Sequence, residues 1–193
     1  MFETELVKNV LMSGETKKIK MFTVNGQTLA ANFYQALAAQ MSLFDSMTVE
    51  YDQSLQGKAE YLSKTNTMRL GFSSIQYDEQ RGMIIHEATH AVCDMLKMSM
   101  TIADSETMAY VAQCQFMLAN RGDYPLTGTT PEKTALFAAA WKVAKRIQNG
   151  EILNNSDYSP VRQAVSQVKK YGIKSLANHA GYDGLIKESS WFW

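Results

Sequence analysis

The chain has 193 residues, 46% of them hydrophobic and 20% charged, proportions that fit one globular domain with a sizeable core. Lysine plus arginine equals aspartate plus glutamate at 19 each, so no global field recruits nucleic acid or an anionic membrane. No apolar run approaches the roughly 18 residues of a membrane-spanning helix, and MFETELVKNVLMSGE lacks the basic start of a signal peptide.

Residues 3–12 carry helical spacing that stops near Ser13-Gly14. Lys18–Val24 alternates as a strand does, and Asn25-Gly26 is a strong turn signal. Residues 28–44, rich in alanine and leucine, predict a core helix. Met47–Tyr51, Lys58–Ser63 and Thr67–Phe72 read as short strands, the last two bracketing Lys64-Thr65-Asn66; together they predict a small antiparallel sheet with a hairpin. Asp78 is the expected N-cap of the next helix, and Thr101 or Asp104 that of the helix after it. Arg121–Pro131, dense in Gly, Pro, Asp and Thr, reads as a surface loop. Two more helices are expected at Pro131–Gln148, with proline in its first turn, and at Ser159–Lys170. This order gives an α+β fold with helix exceeding strand, in one domain over residues 1–193. Two cysteines, Cys93 and Cys114, make no disulfide framework, and twelve methionines suit an adaptable core. A chain made and folded in a reducing cytoplasm is expected, with export by a machine that reads no cleavable signal left open.

The run GMIIHEATHAV contains His86-Glu87-Ala88-Thr89-His90, an H-E-x-x-H pattern. Residues four apart on a helix stack one turn above each other, so both imidazoles point the same way and can grip one Zn²⁺. Glu87 lies roughly 60° around the helix from His90, near enough to reach a water on the metal without ligating it. Ile84, Ile85, Ala88, Ala91, Val92, Met95 and Leu96 form a broad apolar stripe, so the helix is packed. Histidines beside such a stripe need partners, and a metal supplies them.

Catalytic zinc takes three protein ligands, and the remaining donors are Cys93, Asp94, Asp104, Glu106 and His179. Asp94 would compete for the same helical face and reads better as an outer partner. Cys93 fits a buried structural cysteine, and Asp104 has a capping role to explain it. Glu106 has none, and it lies in line with Ala109, Tyr110 and Gln113. Small Ala109 would let its helix approach the first, bringing the Glu106 carboxylate to the metal. Against this stands an acid favoured near a helix N-terminus by the macrodipole.

HEATHAV, followed after a short turn by DSETMAYVAQ, resembles the small gluzincin-type zinc metallopeptidases, in which a glutamate on the next helix completes H-E-x-x-H. EYLSKTNTMRLGFS is similar to the hairpin or edge strand that precedes the zinc helix there, and the resemblance covers roughly residues 45–120. It implies a zincin-like fold, zinc ligands His86, His90 and Glu106, and Glu87 as general base. Four residues after Glu106 stands Tyr110, where larger relatives have a carboxylate that orients a histidine, so support for the ligands must come from elsewhere. No G-x-x-H follows His90, which excludes the metzincin pattern.

The expected chemistry is hydrolysis of a peptide or protein substrate, with a zinc-activated water, Glu87 taking its proton, and the substrate added alongside the hairpin edge. Water is expected in the fourth metal position, rather than His179, Tyr182 or Cys93. No Gly-rich phosphate loop occurs, so zinc is the one cofactor expected. His179 and Tyr182, on a glycine-punctuated loop, read as a loop histidine and a packed tyrosine, with transition-state stabilisation as the rival role. Trp191-Phe192-Trp193 would pack on a helix or dock a partner. A catalytically silent zinc-binding module and a secreted effector or toxin of the same fold are the alternatives to a peptidase.

Overall fold

The computed structural model describes residues 2–43, 46–122 and 128–185. Helix α1 (Phe2–Leu11) carries Glu3 and Glu5 in its first turn and Lys8 in its last, matching the helix dipole, and buries Val7, Val10 and Leu11. The helix ends before Ser13-Gly14 as its spacing predicts, and a second short helix follows at once. The Ser13 hydroxyl accepts from the Thr16 N–H at 3.3 Å and starts a short α2 (Gly14–Lys17). Strands β1 (Phe22–Val24) and β2 (Gln27–Leu29) then close a hairpin over Asn25-Gly26, with φ of +48° and +79° at the two turn residues. The expected start of the core helix at residue 28 therefore overruns. Leu29 pairs with Phe22 and is buried from the strand, and α3 (Ala31–Leu43) begins after it. Residue 44, included in that expectation, lies outside the described residues.

Strands β3 (Thr48–Tyr51), β4 (Ala59–Leu62) and β5 (Thr67–Leu70) form one sheet in the order β3-β5-β4. The β4–β5 hairpin is antiparallel as expected, but β3 pairs with β5 in parallel, Thr48 opposite Thr67 and Tyr51 opposite Leu70. The sheet is mixed, not antiparallel: β5 returns into the space between the first two strands. Alternation along a strand specifies its buried face and is silent on the direction of its neighbour. Met68 and Leu70 of the central strand are fully buried.

Two long helices follow, α4 (Asp78–Met95) and α5 (Ile102–Arg121). Asp78 is the first residue of α4 and Tyr77 holds the cap position; the Gln80 side-chain oxygen accepts from the N–H groups of Gln76 at 2.7 Å and Tyr77 at 3.2 Å. Thr101 caps α5 by accepting from the Asp104 N–H at 3.1 Å. Every residue of α5 from Ala103 to Met117 is buried, so this helix is the axis of the core and not an amphipathic surface element. Helices α6 (Pro131–Gln148) and α7 (Ser159–Gln167) pack against it. α7 ends three residues short of the expected boundary at 170, with Val168 in an extended conformation. After a single helical turn at Ile173–Leu176, residues 178–185 run as an extended strap. Thr101 and His179 form an isolated antiparallel bridge there.

One hydrophobic cluster runs from Val7 to Leu185 and joins α1, α3, α4, α5, α6 and α7 with β1, β2, β3 and β5. Cys93 and Cys114 are buried free thiols. Among the described residues no helix is long and apolar enough to cross a membrane. Residues 123–127 of the expected loop and the Trp191-Phe192-Trp193 cluster lie outside the described residues.

Candidate metal centre

The α4–α5 packing sets the geometry. Gly82 sits one turn before His86, and a Cβ there would lie 3.0 Å from Met117 Sδ and 3.4 Å from Gln113 Nε2, both on α5. The missing side chain admits α5 close to α4. At this approach His86, His90 and Glu106 each offer a ligand atom within 4.8 Å of the others. His86 Nε2 is 3.3 Å from Glu106 Oε2, and His90 Nε2 is 3.6 Å from Glu106 Oε1. Tetrahedral zinc with bonds of about 2.05 Å spaces its ligand atoms roughly 3.3 Å apart, and the His86–Glu106 gap is of that size. Glu106 Oε2 is buried with His86 Nε2 as its polar neighbour and no well-aligned hydrogen bond, an arrangement that a cation between the two would complete. Two imidazole nitrogens and a carboxylate oxygen form a donor set that suits zinc and related divalent ions.

Each of the three candidate donors is held differently. His90 turns Nε2 to Glu106 and Nδ1 to two hydroxyls, Ser105 Oγ and Tyr182 Oη, each at 2.9 Å. His86 is set by rings: edge-on to Tyr110 at 4.5 Å and to His90 at 5.1 Å between centroids. Tyr110 in turn meets Phe137 of α6 at 5.3 Å. Thus the position four after Glu106 does orient a histidine, by packing and not by a charge.

Glu87 faces the hairpin. Its Oε2 accepts the backbone N–H of Tyr61 in β4 at 2.8 Å. The Tyr61 hydroxyl donates to Asp94 Oδ2 at 2.7 Å, and Asp94 Oδ1 accepts the N–H groups of Asp183 and Gly184 at 2.9 and 2.8 Å. Asp94 is therefore an anchor for the strap, not a metal ligand.

The electrostatics separate the two glutamates. Burial lifts the Glu87 pKa to about 7, against the lowering pull of His86. Burial also works to raise Glu106, but His90 and His86 outweigh it and hold it at about 2. Burial lowers His90 to about 4 despite the Glu106 charge, which keeps its imidazole neutral and its lone pair available. His86 is raised: burial opposes its charged form, but Glu106 and Glu87 favour it more. Lys170 adds positive potential at all four groups. Tyr171 faces Glu106 and Tyr110, and burial followed by the Glu106 charge keeps its hydroxyl protonated far above neutrality.

His86, His90 and Glu106 come together as the sequence predicts, and Glu87 lies near enough to feel the charges of His86 and Glu106. The others do not join them. Cys93 Sγ lies 3.6 Å from Met108 Sδ in the core. Asp104 pairs with Arg162 at 2.5 Å and accepts from Asn25 Nδ2 at 3.0 Å, tying the β1–β2 hairpin to α5 and α7. His179 is exposed on the strap. Tyr182 is packed, and its hydroxyl meets His90 on the ring nitrogen turned away from Glu106. Ser105, Tyr61, Gly82, Lys170 and Tyr171 belong to the site's surroundings without any sequence signal of their own. The serine is flagged only by preceding Glu106, and the glycine only by sitting inside a helix. Two surface cavities, about 510 Å³ beside Lys17–Lys20 and about 530 Å³ beside Ile75–Arg81, are lined by none of the cluster residues. No family model, curated protein or solved structure matches the chain.

Proposed function

We propose that this chain is a zinc-dependent peptidase of the gluzincin kind, with His86, His90 and Glu106 holding the metal and Glu87 as general base. The observation that carries the reading is the convergence of three buried donors, two imidazoles and the Glu106 carboxylate, beside a second carboxylate lifted to a pKa of about 7. Zinc bound there would supply Lewis acidity toward a carbonyl oxygen and acidify a water. Among the described residues no fourth His, Cys, Asp or Glu joins the three donors, which favours an open position over a closed structural site.

Glu87 has the parts of a proton carrier. Tyr61 N–H fixes Oε2, so the carboxylate is aimed while Oε1 is left to take a proton from water and return it to the leaving amine. The same strand offers a place for substrate. In the β4–β5 ladder Gly71 N–H bonds Lys58 C=O, so by alternation Glu60 and Leu62 face β5 while Ala59 and Tyr61 face outward. Tyr61 N–H is taken by Glu87; the N–H and C=O of Ala59 remain on the outer edge for an extended peptide to pair with.

The test is a broad peptide library at neutral pH with zinc-loaded wild type and Glu87→Gln. Cleavage by the wild type with a loss of about 10²–10⁴-fold in the variant, at unchanged zinc content, is expected. An equal rate in both would remove Glu87 as base. Zinc retention with no cleavage by the wild type would favour the silent binding module.

A further inference from the structure

We infer that Tyr182 and Ser105 form a positioning pair for His90, which makes the C-terminal strap an outer part of the metal centre although it contributes no ligand. The inference rests on the metal-binding half of the function proposed above and not on the hydrolytic half. A metal on Nε2 obliges the ring proton to sit on Nδ1, and a buried N–H without an acceptor is costly. Nδ1 meets two hydroxyl oxygens, Ser105 Oγ and Tyr182 Oη, each at 2.9 Å, and these two are 2.5 Å from one another. The three atoms close a ring. One hydroxyl donates to the other, and an oxygen lone pair is left for Nδ1–H. The imidazole plane is thereby fixed with Nε2 toward Glu106 Oε1.

The two hydroxyls arrive by different routes. Ser105 precedes Glu106 on α5, so the helix that supplies one ligand also steadies another. Tyr182 is delivered by the strap, which is pinned on both sides of it. Upstream, Ile102 N–H donates to Asn178 C=O at 2.8 Å and Ala180 N–H to Met100 C=O at 3.0 Å. Downstream, the N–H groups of Asp183 and Gly184 bind Asp94, one turn beyond His90 on α4, and Asn66 Nδ2 donates to Leu185 C=O at 2.8 Å. A tyrosine that merely filled space would not need its hydroxyl; one that holds a ligand does. That difference is measurable, because phenylalanine keeps the packing and removes the oxygen.

The experiment uses the full chain as Tyr182→Phe, Ser105→Ala and the double variant. Zinc affinity is measured by competition with a chromophoric chelator, the visible spectrum of the cobalt-substituted protein is recorded, and metal-free thermal unfolding is followed in parallel. Each single variant is expected to lose about 10-fold in zinc affinity and the double about 100-fold, with a displaced cobalt band. The metal-free unfolding of Ser105→Ala, a substitution favourable within a helix, should stay near wild type. Should Tyr182→Phe fold poorly, Ser105→Ala alone decides. Wild-type zinc affinity and cobalt spectrum in the folded variants overturn the inference and leave the zinc reading intact. Failure of the wild type to bind zinc or cobalt overturns both.

Discussion

The two flanks of α4 handle a buried carboxylate in opposite ways. On the α5 flank Glu106 lies between two imidazoles and is held at about 2; on the hairpin flank Glu87 meets one neutral backbone N–H and rises to about 7. Burial pushes both upward, and the outcome is decided by the neighbours: two ring nitrogens within 3.6 Å pull Glu106 down, whereas the pull of His86 on Glu87 is offset by the like charge of Glu106. Helix α5 thus presents a permanently charged acid, fit to hold a cation, and helix α4 one near neutrality, fit to exchange a proton.

The largest expected effect removes the charged flank. Glu106→Ala leaves the two histidines as a bidentate site and should abolish stoichiometric zinc binding in elemental analysis, whereas Glu87→Gln should retain it. Full occupancy in Glu106→Ala would mean that the two acids are not divided as described. Next comes the hairpin flank. Tyr61→Phe removes the hydroxyl from the fully buried Asp94 but leaves the backbone N–H that holds Glu87. It should cost about 1–3 kcal/mol in denaturant unfolding while zinc content stays unchanged. A loss of zinc as large as that in Glu106→Ala would show that the flanks are not separable.

The smallest effect is a slope. In metal-free protein, Glu106 at about 2 lies below its ordinary 4.5, so its stabilisation is present above pH 4.5 and is lost as pH falls toward 2. His90 at about 4 lies below its ordinary 6.5; the unfolded chain binds the extra proton between those values, and stability again falls with falling pH. Glu87, raised from 4.5 to about 7, works the other way: the folded state binds the extra proton, and stability falls as pH rises. Between pH 4.5 and 6.5 the His90 and Glu87 contributions oppose each other. Glu87→Gln should therefore turn a shallow dependence of unfolding free energy into a clear rise with pH across that window, read by denaturant titration with chelator present. An unaltered profile would contradict the raised Glu87.

Much of this was legible in the sequence because it is carried by short-range periodicity. His86 and His90 at helical spacing, the apolar stripe of α4, the Thr101 cap and the proline opening α6 are local signals, and each element lies within a few residues of its expected place. What escaped depends on partners distant in the chain. The parallel β3–β5 pairing joins residues 19 apart, and nothing in Thr48–Tyr51 specifies it. Tyr182 reaches His90 across 92 residues, and Asp94 reaches Gly184 across 90. The roles of Asp94 and Tyr182 could not be read from spacing, because a glycine-punctuated strap has no periodicity to place its side chains. The strand β2 and the late start of α3 have a local cause, the Asn25-Gly26 turn, which pins a returning strand that the alanine-rich run conceals.

The unbroken burial of α5 from Ala103 to Met117 has a consequence in time. A helix with no face in solvent has no partial opening that leaves the remaining layers intact, so its amides exchange hydrogen through the rarest openings of the molecule. Glu106 and Ser105 ride on that slow element. Tyr182 rides on the strap, where Gly181 and Gly184 flank it with positive φ and exposure is greater. His90 is thus braced by one support from the slow interior and one from the faster periphery, and the lifetime of its alignment is that of the faster one.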